Sequence, residues 1–231
     1  MASKSELFSV GNSGEFRLSG LATRQKSSRT RRDLLEITIV FFLIVIAVWT
    51  PSGHAQFFVS LVATACVVAF AMAGKWSPFE LGLTQPLTGA VRMLFAGALA
   101  CGAIALVGIL FKSVGPGYSV PLSRSWQYAI WALEQEFILQ SIFFVRWEEV
   151  VGSRWAVMVS AVLFALVHIP SPILMLLSFA GGILFCELFR RWRNLYPLGV
   201  IHAGLGLTIA ASFPDKWMHH MRVGIGYLMY H

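Results

Sequence analysis

Seven stretches of this chain approach the length of a membrane-crossing helix while carrying few charges: residues 34–50, 56–74, 91–111, 126–145, 155–168, 172–189 and 195–213. A helix rising 1.5 Å per residue needs about 20 mostly apolar residues to cross roughly 30 Å of hydrocarbon. The fifth stretch is short, and the tail after Pro214 is too polar and brief to count as an eighth. Seven apolar rods among 231 residues, 57% hydrophobic and 13% charged, exceed what one water-soluble core could hide. The expected fold is therefore all-α, a polytopic transmembrane bundle of about seven spans whose natural solvent is the lipid bilayer.

A net charge of +7 could suggest nucleic acid, but the distribution of the cations excludes that reading. Seven of the eighteen Lys and Arg precede the first span: Lys4, Arg17, Arg24, Lys26, Arg29, Arg31 and Arg32. With the N-terminus on the cytoplasmic side, the inside loops receive Lys75, Arg92, Arg146, Arg154, Arg190, Arg191 and Arg193. The outside receives only Lys112, Arg124, Lys216 and Arg222. That asymmetry follows the positive-inside rule and places the chain in the cell membrane with its N-terminus cytoplasmic. Small residues at 52–55 could be read as a leader cleavage point, but the polar segment before the first span is too long for a leader.

Four segments result. Residues 1–33 are polar, rich in Ser and Arg and without helical periodicity, and are expected to be a disordered basic tail. Residues 34–112 form the N-terminal transmembrane helices, 126–213 a second membrane core, and 214–231 a short polar tail. Gly115-Pro116-Gly117 breaks the chain in an outside loop. Cys66, Cys101 and Cys186 fall in three different apolar stretches, with neither disulfide nor metal-ligand spacing. Gly97, Gly102, Gly181 and Gly182 offer small surfaces for close helix packing, and Pro197 sits in the first turn of the last span, where a missing N–H costs little.

Ionisable groups at bilayer depth cost a few kcal/mol each and usually face a protein interior or a wet cavity. Here these and other polar groups gather in the second half: Glu134, Gln135, Glu136 and Gln140 in the fourth span, His168 ending the fifth, Glu187 in the sixth and His202 in the seventh. Glu187 has a structural explanation in Arg190 and Arg191, three and four residues on. Glu136 has no such neighbour on its own helix, and Gln140 shares its face at i+4. Glu134 points about 200° away from Glu136, so one of the two carboxylates supports rather than shares a small site. His168 and His202, about 20 Å and 10 Å from the expected cytoplasmic helix starts, bracket Glu136 in depth.

A buried carboxylate of raised proton affinity can take a proton from water and create a nucleophile for a peptide carbonyl, and imidazoles can orient that water or stabilise the oxyanion. The same Glu and two His would also make a zinc set with an open position, so a divalent metal such as zinc stays open beside metal-free chemistry. There is no H-E-x-x-H helix and no nucleophile elbow.

The runs Gln135-Glu136-Phe137-Ile138-Leu139-Gln140, Ser160 to His168 and His202-Ala203-Gly204-Leu205-Gly206 resemble the CPBP family of intramembrane endopeptidases, which includes type II CAAX prenyl proteases and bacteriocin-processing proteins. The resemblance covers about residues 126–213. The family pattern is E-E-x-x-x-R, F-x-x-x-H and H-x-x-x-N on successive helices. Phe164 and His168 fit the second motif completely. In the other two, Gln135 stands for the first Glu, Gln140 for the Arg and Gly206 for the Asn, which marks a divergent branch.

The resemblance implies an intramembrane endopeptidase acting on a membrane-associated protein or peptide. Glu136 activates water, Glu134 assists, His168 and His202 orient the water or hold the oxyanion, and Gln140 positions substrate or Glu136. Two other readings share these residues: an inactive scaffold that binds membrane peptides in the same groove, and a proton-coupled transporter, which calls for internal repeats that the sequence does not show.

Overall fold

In a computed structural model of the chain, residues 9–111 and 122–229 are described, with side chains from 28 to 111 and 125 to 229. The Gly115-Pro116-Gly117 break lies outside the described residues. Every regular element among them is helical. In chain order these are α1 (Ser9–Trp49), α2 (His54–Ala73), α3 (Ala90–Leu110), α4 (Leu122–Glu136), a π-helical segment (Phe137–Phe144), α5 (Val145–Val151), α6 (Ser153–Leu166), α7 (Pro172–Trp192) and α8 (Tyr196–Ser212). The short helices α9 (Asp215–Met218) and α10 (Ile225–Leu228) follow, separated by a 3₁₀ turn at His219–Met221.

Three helices are by length and composition long and apolar enough to cross a membrane: α2, α3 and α7; α6 and α8 are shorter apolar helices. The apolar pattern located the second to seventh elements to within a few residues. The fourth stretch is the exception, since it is assembled from α4, the π segment and α5 and ends only at Val151. The polar N-terminal stretch also departs from expectation. From Ser9 onward it continues the first apolar run as one helix. Once an apolar segment has nucleated a helix, each added residue costs little, and Arg, Lys, Leu and Ala are good helix formers.

The bundle is built from pairs: α6 on α7, α8 against both α3 and α4, and α1 on α2. Close approach depends on small residues. A Cβ at Gly97 would lie 2.6 Å from the Ile201 side chain, and one at Gly182 would lie 3.0 Å from the Ala161 Cα. Gly102, expected to serve the same purpose, has nothing within 4 Å of a built Cβ and does not mediate packing. The core runs through Leu139, Phe144, Phe185, Phe189, Leu198 and Ile201. Outward, large apolar side chains such as Phe57, Met72, Val91, Phe95, Leu176 and Val200 are exposed. That is the arrangement of a bundle whose surroundings are hydrocarbon.

Arg146, assigned by the sequence to a basic loop, is fully buried. Its guanidinium meets Glu36 of α1 at 2.6 and 2.7 Å and donates to the Phe70 carbonyl of α2 at 3.3 Å. Arg32 holds the other oxygen of Glu36 at 2.7 Å. Beside this cluster, Lys75 lies between Asp33 and Glu149, at 3.6 and 3.4 Å. A planar five-donor cation can meet a carboxylate and several carbonyls at once, and that is what makes an arginine tolerable there. Arg146 also serves the π segment. An i→i+5 turn, in which the Val145 N–H reaches back to the Gln140 carbonyl, displaces neighbouring carbonyls, and Arg146 donates to those of Ser141 (2.8 Å) and Ile142 (3.4 Å). The Ser141 hydroxyl donates to the Leu81 carbonyl at 2.9 Å.

Candidate active site

Glu136 is the last residue of α4 before the backbone widens into the π turn, and its side chain has no solvent exposure. Both of its oxygens are engaged. Oε1 is 2.9 Å from Nδ1 of His202 on α8, and Oε2 accepts from Gln140 Nε2 at 3.1 Å. The Gln140 contact joins two residues four apart across the start of the π segment, as their shared helix face required. The His202 contact closes 66 residues of chain and fixes α4 against α8 at this depth.

Two aromatic rings set the plane of His202. Phe185 of α7 stacks on it with centroids 5.2 Å apart and planes 17° from parallel, and Phe164 of α6 meets it edge-on at 5.8 Å. The same Phe164 ring packs edge-on against His168 at 5.1 Å. The Phe164–His168 motif thus has a physical content: it delivers an imidazole and, one turn earlier, a ring that packs edge-on against both imidazoles. His168 Nδ1 lies 2.7 Å from the Phe164 carbonyl. A carbonyl only accepts, so Nδ1 carries the hydrogen and Nε2 presents a lone pair.

A cavity of about 520 Å³ opens among these helices. Its walls include Tyr128, Glu134, Gln135, His168, His202 and Gly206. Most of the remaining lining is apolar, from Ile44 of α1 and Leu139 of the π segment to Leu177 of α7. The C-terminal tail, read from sequence as a polar appendage, contributes Met221 and Val223 to the wall; it is tied down by the Gly224 N–H, which donates to the Ile169 carbonyl at 2.8 Å. A volume of this size holds a segment of an apolar ligand together with water.

Of the two acidic residues of α4, Glu134 lines the cavity and Glu136 is not among the residues that do. The wide angular separation expected from their spacing has this consequence: Glu134 looks into the cavity and accepts from Thr64 Oγ1 of α2 at 2.7 Å, while Glu136 grips the imidazole from behind. His202 is the shared member, lining the cavity and bonded to Glu136. Its Nδ1 engages the carboxylate, so Nε2 is the nitrogen left for the cavity. Glu187 is held by Arg190 and Arg191 at 2.7 and 2.8 Å and has the structural role its spacing suggested. Among the described residues no three His, Cys, Asp or Glu side chains gather as a metal-ligating group.

Three features of the site were not read from the sequence. Gln135, which stands where the family pattern has a Glu, lines the cavity, a placement its spacing alone does not reveal. Tyr128 carries no signal in one dimension, since only its contact with Gly206 of another helix shows where it lies. The π segment has no signature in residue type.

A search of curated proteins finds no match to this chain. Residues 119–208 match the family model described as Type II CAAX prenyl endopeptidase Rce1-like. The matched segment contains Glu136, Gln140, His168 and His202 and most of the cavity wall described above. The apolar helices and this family agree on a membrane protein of protease type. Residues 119–208 are therefore similar to an Rce1-like domain, in the same part of the chain that carries the three CPBP-like motifs.

Proposed function

We propose that the chain is an intramembrane endopeptidase that hydrolyses a peptide bond of a membrane-associated protein or peptide within the cavity between α4, α6 and α8. The observation that carries this reading is the 2.9 Å contact between a fully buried carboxylate and the imidazole on the cavity wall. A carboxylate that fixes one ring nitrogen makes the other the basic one and stabilises the imidazolium formed when that nitrogen takes a proton.

In the reaction, a water in the cavity directs one O–H toward His202 Nε2 and the other toward His168 Nε2, both of them lone pairs. Its oxygen attacks the peptide carbonyl, its proton passes to His202, and the carbonyl electron pair moves onto oxygen. Collapse breaks the C–N bond, and His202 returns the proton to the departing nitrogen. Glu136 acts through His202 instead of touching the water, a role that follows from its place behind the ring. Gln140 holds Glu136, and Glu134, anchored by Thr64, adds a cavity-facing acceptor for substrate N–H groups. The substrate reaches the cavity laterally from lipid, with the basic N-terminal segment on the cytoplasmic side.

The test compares protein N-termini in membranes of cells carrying the wild-type chain or Glu136→Gln. Termini that depend on the wild type and vanish in the variant, with their precursors accumulating, support hydrolysis. Identical sets of termini overturn it.

A further inference from the structure

One turn beyond His202 on the same face of α8 stands Gly206, and the space that a side chain there would occupy is taken by a residue from another helix. A Cβ built on Gly206 would lie 1.9 Å from the Tyr128 hydroxyl oxygen and 2.7 Å from its ring carbon Cζ. The phenol head of α4 is thus laid directly on the α8 backbone, and glycine is the residue that permits it. Gly199, two turns earlier, allows the same two helices to meet at Leu133, whose Cδ1 would stand 2.8 Å from a built Cβ. The α4–α8 contact is therefore close over several turns, and it delivers the tyrosine beside the histidine.

A buried tyrosine hydroxyl normally finds a hydrogen-bond partner. Tyr128 and Gly206 both line the cavity, the tyrosine side chain is only partly covered, and among the described residues its hydroxyl has none. Tyr128 thus brings to the cavity wall an O–H donor with no acceptor among the described residues, against the glycine one helical turn from the imidazole proposed to activate water. Beside the amide of Gln135, three further polar groups of the wall have different capacities. Glu134 accepts, His168 presents a lone pair, and His202 gives up its proton only to the leaving nitrogen.

We infer that Tyr128 is a catalytic residue whose hydroxyl donates to the carbonyl oxygen of the scissile bond and holds the oxyanion that forms when water adds. This rests on the hydrolytic reading above and supplies what that reading lacks, a donor placed where negative charge develops. The electron pair displaced from the C=O bond by the attacking water resides on the oxygen facing Tyr128. When the C–N bond breaks, the pair returns to re-form the carbonyl, and the phenol keeps its proton throughout. Gly206 is the matching specificity of the backbone: any side chain there would push the phenol off this position.

The experiment uses the full chain in proteoliposomes with a synthetic peptide spanning one terminus that the wild type produces and Glu136→Gln does not. Tyr128→Phe keeps the ring and removes only the hydroxyl. The expected result is a kcat lowered roughly a hundredfold, the scale of losing one oxyanion donor, with KM within about threefold and the unfolding midpoint unchanged. A second variant, Tyr128→Ala with Gly206→Asn, moves a short amide donor onto α8 itself and is expected to recover part of the rate lost in Tyr128→Ala. A Tyr128→Phe enzyme with wild-type kcat overturns the inference while leaving the protease reading intact. So does a loss confined to KM with no recovery in the second variant, since that is the behaviour of a packing residue. Absence of any Glu136-dependent terminus removes both readings together.

Discussion

Arg146→Met separates the energetic roles of the buried guanidinium. The substitution keeps much of the apolar stem and deletes four polar contacts: the pairing with Glu36 at 2.6–2.7 Å and the bonds to the carbonyls of Ser141, Ile142 and Phe70. Removing one member of a fully buried pair costs about 3–5 kcal/mol, because the remaining charge keeps its desolvation without its partner. Arg32 remains on the other Glu36 oxygen at 2.7 Å but is half exposed, so it compensates in part, and the expected cost falls at the lower end, about 3 kcal/mol. Glu36→Leu alone strands Arg146 and costs a similar amount. The double variant Arg146→Met/Glu36→Leu leaves neither charge buried and is expected to be more stable than either single one. SDS titration of the full chain in mixed micelles, followed by the fluorescence of its eight tryptophans, measures all four corners of the cycle. Single losses below about 1 kcal/mol, or a double loss equal to their sum, would refute the view that this ion pair is a coupled buried unit.

The small-residue contacts give opposite expectations at two similar glycines. Gly97→Leu, whose Cβ alone would lie 2.6 Å from Ile201, is expected to destabilise by about 1–3 kcal/mol in the same titration, whereas Gly102→Ala meets nothing and gains up to about 1 kcal/mol from helix propensity. In the loop after α2, the backbone N–H and hydroxyl of Ser77 donate to Glu80 at 2.7 and 2.8 Å and hold its carboxyl below its ordinary value of 4.5. The unfolded chain takes up that proton first as pH falls, so the stabilisation is complete above 4.5 and disappears as pH drops through the lowered folded value. Comparing Glu80→Gln with wild type across pH is expected to show a stability gap near neutrality that closes in acid; a gap that is constant with pH contradicts this.

The bundle was legible because hydrophobic length is a one-dimensional signal: residues 172–189 and 195–213 needed no partner to be recognised as α7 and α8. The site was half legible. Glu136, Gln140 and His202 stood out as polar groups that lipid would not tolerate alone, and the structure joins them through two hydrogen bonds. Their orientation was hidden, because which carboxylate of α4 sees the cavity depends on how α4 is rotated against α8. Arg146 was misplaced for a related reason. A charge at the end of an apolar run resembles a loop cation unless its counter-ion is known, and Glu36 lies 110 residues earlier. The Tyr128–Gly206 contact is likewise invisible in one dimension, since a glycine in a membrane helix does not announce which side chain will occupy its empty space.

That Glu136 works through His202, and not directly on water, can be measured by one cycle. Peptide-cleavage rates are determined for wild type, Glu136→Gln, His202→Ala and the double variant under single-turnover conditions in proteoliposomes. If the two residues act as a unit, the double variant is no slower than His202→Ala, because a carboxylate with no imidazole to hold has nothing left to contribute. Losses that multiply, each single change costing its full factor in the presence of the other, would contradict the account and give Glu136 an independent hold on the water.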